Sequence, residues 1–154
     1  MADGVFNIAK GKAGYYATLP AASDALIVVL LKASGLEADD TLNNYDDLAA
    51  LLAAANDEAD FTNYTRKTLA SVTATVDDTN NRLDADAADF TYTAAGGASN
   101  NSVAKALICY DPDTGAGTDS SVIPLTYHDC VFTTDGTDQQ IQLAAAGFYR
   151  AAAG

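Results

Sequence analysis

The segment at residues 111–119 comes closest to a metal-binding pattern. Its sequence is Asp-Pro-Asp-Thr-Gly-Ala-Gly-Thr-Asp. Asp111, Asp113 and Asp119 could offer carboxylate oxygens to calcium, which prefers oxygen ligands. Val122 stands where an EF-hand requires its bidentate glutamate, and no helix is predicted on either side. Aspartate and glycine are also the residues that turns select. The three aspartates are therefore candidate calcium ligands only, and we expect no metal and no other cofactor.

His128, Asp129 and Cys130 form a second group of reactive side chains. Nucleophilic catalysis needs a base that is aimed at a nucleophile and is itself held by a third group. On a strand, His128 and Asp129 point to opposite faces, whereas His128 and Cys130 share a face without any oxyanion-hole motif beside them. The sequence also contains no Gly-rich phosphate loop, no G-x-S-x-G and no H-E-x-x-H. We therefore predict that the chain is not an enzyme.

Charge and composition exclude further classes of function. The 154 residues are 49% hydrophobic and carry a net charge of -13. The eight basic residues are scattered, which argues against binding to nucleic acid or to an anionic membrane. The longest strongly apolar run, residues 25–31, is far shorter than the roughly 20 residues that a membrane span requires. The start of the chain lacks the basic region of a signal peptide. We expect a soluble protein made in the cytosol.

Alternation of apolar and polar residues predicts a mainly β (α+β) fold. We expect a single antiparallel β-rich domain over residues 21–154, with one short helix at about 44–55. That helix is indicated by Tyr45, Leu48 and Leu52 at helical spacing and by Asn44 as its N-cap. The predicted strands are residues 25–31, 71–76, 90–94, 103–110, 121–127, 131–134 and 139–143.

Asp135-Gly136 lies between two of these strands and predicts a two-residue β-hairpin. In that register Cys130 lies opposite Ile141 and away from Cys109. The register favours free thiols, although a neighbouring strand could still bring the two cysteines together.

Residues 1–20 are predicted to be an extended N-terminal arm or an edge strand. Gly4, Gly11 and Gly14 interrupt the segment and argue against a continuous helix. Lys10 and Lys12 give it a positive charge in an otherwise acidic chain. We expect such an arm to contact a neighbouring subunit, and its deletion over residues 2–16 to leave the domain folded. The alternative is that the segment is the first strand of the chain's own sheet. The candidate contact residues are Phe6, Ile8, Lys10, Lys12, Tyr15 and Tyr16.

Segments from most of the chain carry a resemblance to a known family. They are Phe6-Asn-Ile-Ala-Lys-Gly-Lys12, Ala25-Leu-Ile-Val-Val-Leu-Leu-Lys-Ala33, Tyr45-Asp-Asp-Leu-Ala-Ala-Leu-Leu-Ala53, Tyr64-Thr-Arg-Lys-Thr-Leu69, Asp77-Asp-Thr-Asn-Asn-Arg82, Leu107-Ile-Cys-Tyr-Asp111, Ile123-Pro-Leu-Thr-Tyr-His-Asp129 and Ala146-Gly-Phe-Tyr-Arg150. Together they resemble small virion structural proteins of tailed bacteriophages. That family brings no catalytic motif with it.

The resemblance implies a virion component, and a capsid cement (decoration) protein in particular. Its expected partners are the major capsid protein, sister subunits on the capsid, or both, with a homo-oligomer as one possibility. A tail or head–tail component of the virion is the alternative within this class. Two further classes remain open from the residues. One is a calcium-dependent carbohydrate-binding or adhesion module that uses the 111–119 loop, and the other is an acidic hydrolase with a carboxylate pair.

Overall fold

Three antiparallel sheets account for most of the regular structure in residues 3–152, the part of the chain that the computed structural model describes. The mainly β, antiparallel fold predicted from the sequence is therefore confirmed. The strands are β1 (Gly4–Val5), β2 (Ala25–Lys32), β3 (Lys67–Thr68), β4 (Thr73–Asp77), β5 (Arg82–Asp86), β6 (Phe90–Ala95), β7 (Ser102–Asp111), β8 (Ile123–Thr133), β9 (Thr137–Ile141) and β10 (Tyr149–Ala152). The helices are α1 (Ala13–Tyr16), α2 (Asp39–Leu42) and α3 (Leu48–Ala53), and a 3-10 helix spans Asn7–Ala9.

The largest sheet has five strands in the order β1-β8-β7-β2-β3. Its two central strands, β2 and β7, are apolar on both faces, and nearly all of their residues are buried. This pattern is typical of strands that are covered on both sides. β8 is a single strand of 11 residues, where the sequence indicated two shorter ones. The register between β7 and β8 shifts between Ile108 and Cys109, next to Pro124, a residue that favours such irregularities because it cannot donate a backbone hydrogen bond.

Two smaller sheets pack against the large one. The order of the first is β10-β5-β4, and the second consists of β6 and β9 alone. The β6–β9 pair lies over one face of the large sheet, where Tyr92 of β6 packs against Phe61 and Tyr64. The Nζ atom of Lys67 in β3 lies 5.1 Å from the centre of the Tyr92 ring. These contacts leave space between the β9 side of this layer and strands β7 and β8.

The predicted hairpin at Asp135-Gly136 is wrong in its pairing. The chain does turn there, with Gly136 at a φ of +98°, but β9 pairs with β6 and not with β8. Ile141 consequently lies opposite Phe90, while Cys130 belongs to the large sheet. The local turn signal could not reveal the partner of β9, because that pairing depends on packing between layers. Cys109 and Cys130 are both free thiols, as the sequence favoured.

The N-terminal segment is part of the domain and is not an extended arm. The alternative prediction, an edge strand of the chain's own sheet, agrees with β1, which is the outermost strand of the large sheet. It forms β1, the 3-10 helix and α1, and it buries Phe6, Ala9, Ala13 and Ala17 in the core. The Phe6 ring makes an edge-to-face contact with Tyr127 at 5.5 Å between ring centres. Deletion of residues 2–16 would therefore remove core residues, and the expectation that the domain stays folded without them is corrected.

The helical region also differs in detail from the prediction. α3 is shorter than residues 44–55, and its N-cap is Asp47, whose carboxylate accepts a hydrogen bond of 2.8 Å from the Ala50 amide. Asn44 instead donates its side-chain amide to the carbonyl of Asp40. The helix prediction therefore located the element but placed its start too early. None of the helices within residues 3–152 is long and apolar enough to cross a membrane.

Candidate functional site

The exposed part of the N-terminal segment forms the first candidate surface. Lys10, Lys12 and Tyr15, which we call the N-terminal surface, are exposed, and the Tyr15 side chain is 61% exposed. The Tyr15 ring makes an edge-to-face contact with the Tyr16 ring. Tyr16 in turn stacks on Tyr110, with 4.5 Å between ring centres. The buried residues of the same segment hold this surface in place.

The structure divides the six predicted contact residues into three groups. Phe6 is fully buried, so it supports the surface from below and cannot contact a partner in this fold. Ile8 and Tyr16 are half-buried and pack against the core. Only Lys10, Lys12 and Tyr15 remain open to a partner. The four-residue spacing of Ala9, Ala13 and Ala17, which is typical of one face of a helix, was the sequence signal that would have revealed the buried side.

The three candidate calcium ligands do not converge on one point. Asp111 accepts a hydrogen bond from the Asp113 amide, and Asp113 accepts hydrogen bonds from the amides that follow it in the turn. Asp119 is bound instead by both terminal nitrogens of Arg66. Across residues 3–152, no group of three or more His, Cys, Asp or Glu side chains is arranged to hold a metal ion. The loop geometry is that of side chains that stabilise turns.

Arg66 is the centre of a polar cluster that the sequence did not reveal. Its Nε atom donates to Glu58 at 2.8 Å, and its terminal nitrogens bind Glu58 and Asp119. The hydroxyl of Tyr64 also donates to Glu58 and accepts from the Leu30 amide of β2. Hydrogen bonds from Arg66 hold the pKa of Asp119 below its usual value. The cluster ties the 111–121 loop to the large sheet.

Lys105 forms a second charged cluster on the large sheet. Its side chain is fully buried, and its ammonium group lies 2.7 Å from Asp129 and 3.0 Å from Asp39. The same group lies 4.9 Å from the centre of the Tyr127 ring. Burial lowers the pKa of Lys105, but the two carboxylates outweigh it, and the pKa is raised overall. Lys105 therefore stays charged inside the fold.

The side chains of residues 128–130 do not form a catalytic pair. Asp129 contacts Lys105, whereas His128 contacts Thr126 through Nε2 at 2.9 Å and Asp3 through Nδ1 at 3.3 Å. Burial raises the pKa of the Cys130 thiol to about 11, so the thiol is protonated at neutral pH and is a weak nucleophile. The opposite orientation of His128 and Asp129 agrees with the strand geometry expected from the sequence.

A groove of about 600 Å³ lies between the large sheet and the β6–β9 layer. We call it the interlayer groove. One wall is the β7–β8 face, which includes Ile108, Cys130 and Phe132, and the other is β9 with the segment that follows it to residue 150. Its volume lies within the range of small binding sites in proteins. The sequence did not indicate it, because the groove exists only as a result of the unexpected pairing of β9.

Searches of protein-family models, of curated proteins and of solved structures found no match to this chain.

Proposed function

We propose that this chain is a non-enzymatic structural protein of a phage virion, and specifically a capsid cement protein that stabilises the major capsid lattice. The observation that carries the proposal is the N-terminal surface. It combines a largely exposed tyrosine with two lysines on a protein whose net charge is -13. The resemblance of many short segments to tailed-phage virion proteins supports the same class.

The physical properties of the N-terminal surface suit a weak, repeated contact. Tyrosine is enriched in protein interfaces because its ring offers a large contact area with a polar end. The segment is anchored by Phe6, Ala9 and Ala13, so binding does not have to order it. Many such contacts repeated over a symmetric shell add up through effective concentration. The acidic remainder of the protein keeps the free subunit soluble.

The partners in this proposal are the major capsid protein, sister subunits, or both, and the site of action is the virion. The first experiment counts the chain in purified particles of the phage that encodes it, by quantitative mass spectrometry and cryo-electron microscopy. Hundreds of copies on the shell would support the cement role. A few copies at the neck or tail would replace it with the tail or head–tail role, and absence from particles would overturn the virion assignment.

A second experiment tests the N-terminal surface directly. The Tyr15→Ala variant with Lys10→Glu and Lys12→Glu is added to particles that lack the protein, and its occupancy is compared with that of the unmodified chain. These side chains are exposed, so the variant should fold normally. We expect it to lose most of its occupancy. The matched control is Val76→Ala, which changes a 66% exposed valine elsewhere and should bind fully.

The calcium-dependent adhesion module is the competing class. This class requires the 111–119 loop to bind calcium, but the Asp119 carboxylate already accepts hydrogen bonds from Arg66. Thermal melting with and without millimolar calcium separates the two classes, because a ligand that binds the folded state raises the melting temperature. We expect no shift, and a rise that Asp113→Asn abolishes would favour the adhesion module.

A further inference from the structure

Lys105 is a nucleophilic side chain that the proposed function does not use. It is the only charged residue that is buried within residues 3–152. Its Nζ atom lies 2.7 Å from a carboxylate oxygen of Asp129 and 3.0 Å from one of Asp39. A buried lysine amine is a nucleophile once it has given up its proton. The fold therefore holds an amine against two carboxyl groups.

The backbone keeps Lys105 and Asp129 in contact. The two residues lie opposite each other in the register of β7 and β8. The register of β7 shifts between Val103 and Lys105 against both of its neighbouring strands, and such irregularities often re-aim a side chain. The Asp129 amide also donates a hydrogen bond of 2.8 Å to the Asp3 carboxylate. Because the fold holds both groups in place, little entropy is lost when they react.

The surroundings of the Lys105 amine are partly apolar and partly open. The amine lies 4.9 Å from the centre of the Tyr127 ring, which is itself buried and packed against Phe6. Removal from water in such a site disfavours charge on the amine. The Asp129 side chain is 34% exposed, so a water molecule released at this point has a path to solvent.

We propose that Lys105 and Asp129 become joined by an intramolecular amide bond, and that Asp39 transfers the proton in this reaction. The ion pair is the form in which the chain folds, and the amide is its later product. The bond would connect β7 to β8, the two longest strands, and would persist in the unfolded chain. This inference does not require the chain to be part of a virion.

The reaction needs no oxidant and no second substrate. One proton moves from Nζ to Asp129, which gives a neutral amine and a carboxylic acid. The nitrogen lone pair then forms a bond to Cγ of Asp129. The Asp39 carboxylate accepts a proton from this nitrogen and passes it to the hydroxyl on Cγ, and the C–O bond breaks to release water. Asp39 ends the reaction as a carboxylate.

The reactive form has the same total number of protons as the ion pair. Burial opposes the charge on Lys105, but the two carboxylates outweigh it and keep its pKa raised. The neutral pair is therefore a minor form at neutral pH. We expect the amide to form slowly after folding and to accumulate, because excess water is largely kept from the buried nitrogen.

The first test is the intact mass of the full chain after unfolding in urea, measured during prolonged incubation of the freshly synthesised, folded protein. We expect the mass to fall by that of one water molecule. Cleavage by a protease between residues 105 and 129 should leave two pieces joined, and tandem mass spectrometry should place the bond between Lys105 and Asp129.

Lys105→Arg separates this bond from other losses of water. The variant keeps a cation beside both carboxylates but has no amine to acylate, so its mass should stay that of its sequence. Succinimide formation at Asp135-Gly136 also removes water, and this variant would retain it. The matched control is Lys32→Arg, which alters the pair with the exposed Asp60 and should lose water as the unmodified chain does.

Asp39→Asn tests the proton transfer. It retains Lys105 and Asp129 but cannot accept the proton, and we expect the mass to fall roughly a hundred-fold more slowly. Circular dichroism checks that the variant is folded. An unchanged rate in the folded variant would remove Asp39 from the reaction.

Three outcomes of the mass measurements would overturn the amide bond itself. The first is a mass of the unmodified chain that remains that of its sequence throughout the incubation. The second is an equal loss of water in Lys105→Arg. The third is a bond that tandem mass spectrometry places on Asp39 or on Lys32 in place of the Lys105–Asp129 pair. None of these measurements depends on whether the chain occurs in virions.

Discussion

Two clusters in this protein use the same arginine–carboxylate chemistry in different settings. Arg66 joins Glu58 and Asp119, which lie in segments that no strand pairing connects. On the small β10-β5-β4 sheet, Asp84 is shared by Arg82 and Arg150. Arg150 and Asp84 are already opposite each other in the strand register. We call the Arg66–Glu58–Asp119 group the inner cluster and the Arg82–Asp84–Arg150 group the outer cluster. The inner cluster joins segments that no strand pairing connects, whereas the outer cluster adds to contacts that backbone pairing has already made. Lys105 also joins carboxylates from separate segments, and its side chain is fully buried.

The largest effect is expected when the buried cation is removed. Lys105→Met would remove the buried cation that contacts Asp129 and Asp39, and we expect a loss of about 3–5 kcal/mol in the free energy of unfolding. Urea denaturation measures it. The matched control is Lys32→Met, because Lys32 pairs with Asp60, whose side chain is 69% exposed. That change should cost at most about 1 kcal/mol. Equal losses in the two variants would show that the burial of Lys105 does not make its ion pairs more important than the exposed Lys32–Asp60 pair.

Arg66→Ala should have the next largest effect. It removes charged hydrogen bonds to Glu58 and Asp119 and leaves Glu58 facing the Tyr64 hydroxyl alone. We expect a loss of about 2–3 kcal/mol, together with faster amide exchange in the 111–121 loop. Hydrogen exchange with urea denaturation measures both. A stability loss without any change in the loop would show that Arg66 does not hold the loop to the sheet.

The inner cluster also predicts a dependence on pH. Hydrogen bonds from Arg66 lower the pKa of Asp119 in the folded state below its usual value, so the ion pair stabilises the fold above about pH 4. This contribution is lost as the pH falls through the lowered pKa. We expect Asp119→Asn to be less stable than the unmodified chain at pH 6, and the difference to shrink towards pH 2. Melting temperatures across this range measure it, and a difference that is independent of pH would exclude the ion pair as its source.

The smallest effect is expected at the outer cluster. Arg150→Ala breaks the pair with Asp84, but both side chains are partly exposed, Arg82 still contacts Asp84, and β10 keeps its backbone pairing with β5. We expect no measurable change in the urea midpoint at physiological salt, since solvent and salt screen such pairs. A loss as large as that of Arg66→Ala would mean that the small sheet depends on this arginine.

The parts of the fold that were predicted from the sequence are those that local pattern determines. β2 was recognisable because its apolar run is uninterrupted, and β6 and β7 because of their composition. The turn at Asp135-Gly136 was located correctly, but its strand partner depends on packing between layers. The glycines in the first 20 residues hid the helical spacing of Ala9, Ala13 and Ala17.

The candidate sites were harder to predict for the same reason. Tyr15, Lys10 and Lys12 were predicted as partner contacts and are exposed in the structure, whereas Phe6, which was predicted with them, is fully buried. Lys105 and Arg66 gave no local signal, because all of their carboxylate partners except Glu58 lie far away in the sequence. The interlayer groove follows from the pairing of β9 and could not have been read from any single segment.

The short strand β1 has a consequence for the order of events during synthesis. Gly4 and Val5 pair with Tyr127 and Thr126, so the first strand made must wait for one of the last. Until β8 leaves the ribosome, Phe6 lacks its contact with Tyr127 and the 3-10 helix lacks the strand on which it packs. Contacts between such distant segments slow folding and expose apolar residues meanwhile. A nascent chain that is stalled before β8 should therefore be the form of this protein that chaperones and proteases recognise best.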